Sequence, residues 1–160
     1  MSYKLPPVTH GVFYSLQTQT FTGSTTSATS SGQTITFSNS VDADSGVILS
    51  GITKIVVTSS GDYSFVPSII VDQGAGTNEV YEMWFQKNGV DIPDSNTRIV
   101  NATAATEQLI VLQFIVDLLA NQYVELKWYC TTATGTFKST AAGSRPSVPS
   151  VILTVLKVSE

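Results

Sequence analysis

Between Gln122 and Thr131 apolar and polar side chains alternate without a break. Val124, Leu126, Trp128 and Cys130 fall on one side, and Tyr123, Glu125, Lys127 and Tyr129 on the other. A period of two is the repeat of a pleated strand, whereas the apolar stripe of a helix recurs every three to four residues. The same period runs through Gln108 to Leu118, where Ile110, Leu112, Phe114, Val116 and Leu118 share a side. A helix is the competing reading of that segment, but its uninterrupted alternation and β-branched content favour a strand. Segments of this kind are stable only when one face is buried against a second layer.

The rest of the chain reads as short apolar or alternating runs bounded by Gly, Asn, Asp, Ser and Pro. Strands are expected over Gly11 to Phe21, Gln33 to Phe37, Gly46 to Leu49, Lys54 to Thr58, Tyr63 to Asp72, Val80 to Lys87 and Val90 to Pro93. Arg98 to Val100, Gly135 to Ala142 and Ser150 to Val158 complete the set. Asn88-Gly89 is the strongest hairpin signal, because both residues accept positive φ. The Ser/Thr/Gly tract Thr22 to Gly32 reads as a loop within the domain, not as a linker. About ten strands without a helix predict an all-β fold, an antiparallel jelly-roll sandwich. A chain of 160 residues can close one core, so the expected organisation is an N-terminal arm over 1–10 and a single jelly-roll domain over 11–160.

Composition narrows the function classes. Only 12% of residues are charged, while Ser and Thr number 41, so hydroxyls and amides must wet most of the surface. The net charge of −4 offers no basic face to a phosphate backbone, and nucleic acid is not an expected partner. No window approaches the roughly 18 consecutive apolar residues of a membrane span, and the N-terminus lacks the apolar stretch of a signal peptide. A soluble protein folding in a cytoplasm is expected. The one cysteine, Cys130, cannot close an intrachain disulfide and reads as a small buried apolar residue.

The residues that chemistry would demand are scarce. The one histidine, His10, lies in the expected arm, where it reads as a surface residue and could join a nucleophile-base pair only if the arm were held still. One Cys and one His exclude structural zinc. Two oxygen-rich turns, Asp42 and Asp44 with Ser45, and Asp91 and Asp94 with Ser95 and Asn96, have calcium-ligand composition, although such residues more often simply form turns. Gly74-Ala75-Gly76 precedes a strand and so lacks the helix N-terminus of a phosphate loop. Any two of the twelve acids could pair for glycoside hydrolysis, but none sits in a recognisable aromatic cleft. No enzyme, no cofactor and no metal are expected.

The last strand is apolar on both faces, with Val151, Leu153 and Val155 on one and Ile152 and Leu156 on the other. A single sandwich covers one face of a strand, so the second face must be covered by something else. Either face could be the intermolecular one. Val151, Leu153 and Val155, with Tyr123 and Tyr129, are the expected oligomer interface, while Tyr3, Leu5, Pro6 and Pro7 are the expected binding residues of the N-terminal arm.

Gly61-Asp62-Tyr63-Ser64-Phe65 resembles the Gly-x-Tyr-x-Phe strand of complement first-component globular heads and tumour-necrosis-factor-like jelly rolls, and Trp84-Phe85-Gln86-Lys87-Asn88-Gly89 resembles their Lys-Asn-Gly strand end. Ala120-Asn121-Gln122 departs from the family's Gly-Asp turn. The segments from Tyr81 to Thr97 and from Arg145 to Val155 are more closely similar to a group of bacteriophage virion proteins with this fold. That resemblance implies a homotrimer with the sheet of the first and last strands on the threefold axis. It also implies a virion location after assembly in the host cytoplasm. The expected function is a capsid decoration or cement protein bound to the major capsid protein or another virion protein, since the domain fills the chain and leaves no fibre shaft. The alternatives are a receptor-binding knob of a phage fibre, whose loops Thr22 to Gly32 and Thr131 to Gly135 would meet cell-surface glycan, and a soluble trimeric ligand-like binding domain.

Overall fold

The structure, a computed structural model, describes residues 8–26, 32–41, 43, 46–72, 78–101 and 106–159. Among them the regular elements are all strands: β1 (His10–Ser15), β2 (Gln19–Thr20), β3 (Gln33–Thr34), β4 (Asn39–Val41), β5 (Val47–Ser50), β6 (Lys54–Val57), β7 (Gly61–Asp72), β8 (Glu79–Lys87), β9 (Val90–Asp91), β10 (Thr97–Asn101), β11 (Glu107–Val111), β12 (Phe114–Leu118), β13 (Tyr123–Cys130), β14 (Thr136–Phe137) and β15 (Val151–Ser159). They form two antiparallel sheets packed as a sandwich. One has the order β2-β14-β7-β15-β1-β4, with β11 and β12 on the other edge of β7; the second has the order β10-β8-β13-β6-β5, with β3 on β13 and β9 on β8.

The alternation read from sequence sets which residues meet between the sheets. Val124, Leu126, Trp128 and Cys130 of β13 all face inward and are fully or almost fully buried. From the opposite sheet come Phe13, Tyr63, Phe65, Ile69, Val71 and Phe137. Phe65 meets Phe85 edge-on across the sandwich at 6.2 Å, and the Phe137 ring lies 4.0 Å from that of Trp128. Trp84, which alternates with Glu82 and Gln86, is only partly buried.

Strand boundaries depart from the sequence reading where local chemistry interrupts a run. The segment from Gln108 to Leu118 keeps its expected inward set, but it breaks into β11 and β12, both paired with β7. The break falls opposite Pro67, whose carbonyl accepts from Leu112 N (3.1 Å) but which has no N–H to return the second bond of the pair. Gly11 to Phe21 becomes β1, starting at His10, and the two-residue β2. Gly135 to Ala142 shrinks to β14 and an isolated bridge between Thr140 and Val148. Asn39–Val41 is a strand the sequence reading did not expect. Asn88 and Gly89 take φ of 51° and 81° and turn β8 into β9, as their pairing predicts.

Candidate functional site

β15 pairs with β1 on one side and β7 on the other, so the last strand is central in its sheet. Its alternation then decides both faces at once. Val151, Leu153 and Val155 are buried inside the chain's own sandwich. The expectation that they form an intermolecular interface is therefore corrected: the core of the same chain already covers them. The opposite set, Ile152, Thr154 and Leu156, is exposed.

Register shows how far that outer face extends. Tyr14 of β1 stands opposite Ile152, and Val12 opposite both Thr154 and Val41. On the far side Thr154 stands opposite Val66, Leu109 opposite Ile70, and Ile115 opposite Ser64. Leu109 is 67% exposed, Ile115 56% and Leu156 40%. A mostly apolar groove of about 350 Å³ between β1, β4 and the segment before β15 is lined by Val12, Tyr14, Leu16, Val41, Pro149 and Ile152, with Ser147. No charged residue occupies the outward positions of β15 from Ile152 to Val158, or those of β7 from Ser64 to Ile70. Among the described residues of these strands, acids are confined to the two ends. Asp62 lies opposite Asp117 at one, and at the other Lys138 bridges Asp72 (3.0 Å) and Glu107 (2.8 Å), contacts that raise its pKa. An uncharged sheet face, apolar apart from Ser64, Ser68 and Thr154 on β7 and β15 and bordered by charge, is the form of a surface that docks another protein.

The tyrosines are not part of this face. Tyr129 is buried by its own chain, with its hydroxyl donating to Thr25 O and its ring edge-on to Phe21. Tyr123 is half-buried on the other sheet, beneath Lys54 Nζ at 4.4 Å from the ring centroid. Strand alternation alone places Tyr123 and Tyr129 together, but it carries no information about the loop that covers one of them. Tyr3, Leu5, Pro6 and Pro7 lie outside the described residues, as do Asp42, Asp44 and Ser45, and residues 27–31 of the tract Thr22 to Gly32.

A second feature lies on the seven-stranded sheet, where Glu82, Trp84, Asp91, Ile92, Asp94 and Asn96 line an open cleft of about 270 Å³. Asp91 Oδ1 accepts from Trp84 Nε1 (2.6 Å) and Gln86 Nε2 (2.8 Å), and Glu82 Oε2 accepts from Asn96 Nδ2 (3.2 Å). Ser95 is a turn former: its hydroxyl donates to Ile92 O at 2.8 Å and accepts from Phe85 N at 3.1 Å. Among the described residues no three His, Cys, Asp or Glu side chains converge as a metal site would require. His10 opens β1, with its Nδ1 donating to Val8 O (2.8 Å).

Compared with known proteins, the chain matches no family model and no curated protein.

Proposed function

We propose that this protein is a non-enzymatic structural component of a bacteriophage virion, a jelly-roll domain of the tumour-necrosis-factor-like kind that assembles as a homotrimer and decorates the capsid. The observation that carries the reading is the uncovered apolar face of the eight-stranded sheet. The first and last strands lie side by side at its centre, and apolar residues extend from Val41 to Ile115 across it. A monomer exposing such a face would associate through it, and three copies closing around an axis remove it from water. The virion location rests on the likeness of the segments from Tyr81 to Thr97 and from Arg145 to Val155 to phage virion proteins. The capsid contact is assigned to the N-terminal arm with Tyr3, Leu5, Pro6 and Pro7.

The cleft at Trp84 favours a second reading, a receptor-binding knob. An indole beside carboxylate and amide acceptors suits the hydroxyls of a cell-surface glycan. Reconstruction of the virion, or immunogold labelling with antibody to this chain, separates the two. Density or gold distributed over the capsid supports decoration; label confined to fibre tips supports the knob, and label on neither overturns both.

A further inference from the structure

Glu79 is a fully buried carboxylate, and among the described residues no lysine or arginine pairs with it. Its oxygens are met instead by neutral hydroxyls. Thr132 Oγ1 and Thr134 Oγ1 donate to Oε1 at 2.6 and 3.0 Å, and Tyr81 OH, which also reaches Asp72 O, lies 3.0 Å from Oε2. Two of the three donors belong to residues 131–135, the connection from β13 to β14. That connection passes over the side chain of Cys130: Thr132 Oγ1 lies 3.7 Å from Sγ, and Gly135 packs so closely on Sγ that there is no room for a Cβ.

We propose that Glu79 is a latch that keeps the 131–135 connection closed over Cys130 and so shields the thiol from oxidation and from disulfide exchange between copies. The latch is strong because its hydroxyl contacts converge on one buried carboxyl group, and breaking them leaves polar groups unsatisfied in a poorly hydrated site. Releasing it leaves Thr131, whose Oγ1 accepts from Val80 N at 3.0 Å, as the connection's remaining side-chain anchor, at the end next to β13. The other groups around the carboxylate fit this role. Cys130 is neutral because burial raises its pKa, Asn101 across the β8–β10 ladder is occupied with Thr106, and the Asp72 carboxylate is engaged by Lys138. The inference is independent of the virion reading.

The test is the rate at which iodoacetamide alkylates Cys130 in the full-length native protein at pH 8, read by intact mass, for wild type, Thr132→Val/Thr134→Val and Glu79→Gln. The paired threonine variant cuts the latch from the exposed side and leaves the core untouched. With the connection closed, the buried thiol, its pKa raised by burial, should alkylate slowly. Opening should instead accelerate both variants by about tenfold or more, the factor corresponding to about 1.4 kcal/mol of lost closure. A threonine variant that is folded by circular dichroism and alkylates no faster than wild type overturns the latch, whether or not Glu79→Gln folds.

Discussion

Trp128 offers the most quantitative check on the packing. It is fully buried, and its ring meets Phe137 at 4.0 Å, Phe21 at 5.2 Å and Tyr81 at 6.5 Å. Among the described residues its buried indole Nε1 has no hydrogen-bond partner. These facts act in opposite directions. Truncating a buried aromatic to Ala typically costs about 3–5 kcal/mol, whereas removing an unsatisfied buried donor returns about 1–3 kcal/mol. Trp128→Ala should therefore fall below that range, at about 2 kcal/mol. Trp128→Phe keeps an aromatic ring between Phe137 and Tyr81 while deleting the donor, and should cost about 1 kcal/mol or less. Urea denaturation followed by far-ultraviolet circular dichroism, at one fixed protomer concentration because assembly couples to stability, measures both. A Trp128→Ala loss below about 1 kcal/mol would show that the core is not organised around this residue. A Trp128→Phe loss of about 2 kcal/mol or more would refute the unsatisfied-donor argument.

Adjacent positions on β15 should respond oppositely to charge. Leu153→Asp buries a carboxylate in the core and should abolish folding, whereas Leu156→Asp should keep the circular dichroism spectrum and yield monomer by light scattering. Stability should fall in alkali, because burial raises the pKa of both the Cys130 thiol and the Tyr81 phenol. The unfolded chain releases those protons first, so the contribution is intact below the ordinary thiol value of about 8.5 and is lost as pH rises above it. In a melting series, Cys130→Ala should flatten the decline between about pH 8.5 and 10, and an unchanged slope would remove Cys130 from the account. Chelation with EDTA should leave the melting temperature unchanged, and a drop of roughly ten degrees would promote the turn of Asp91 and Asp94 to a calcium site.

Fold class was legible in the sequence because period-two alternation depends on local geometry alone. Gln122 to Thr131 and Ser150 to Val158 are strands within a residue or two of the expected limits. The break at Leu112 was not legible: its cause, Pro67, lies on the neighbouring strand, and only the register of β7 brings the two together. The interaction face was half legible. Two apolar faces on the last strand required a second cover, but choosing between Leu153 and Leu156 needed the direction of the opposite sheet. Tyr129 was misplaced for a similar reason, since a surface position by alternation is buried once Phe21 and Thr25 fold over it. Glu79 gave no sequence signal, being one acid among twelve until Thr132 and Thr134 converge on it.

The central claim is that copies of the same chain cover the outer face of the β1–β15–β7 sheet. Light scattering coupled to size exclusion on the native protein at micromolar concentration tests it most directly. The account predicts a single species of three times the 17.1 kDa chain mass, persisting on dilution. A stable, soluble species at the mass of one chain would contradict it and would leave the apolar residues from Val41 to Ile115 facing water.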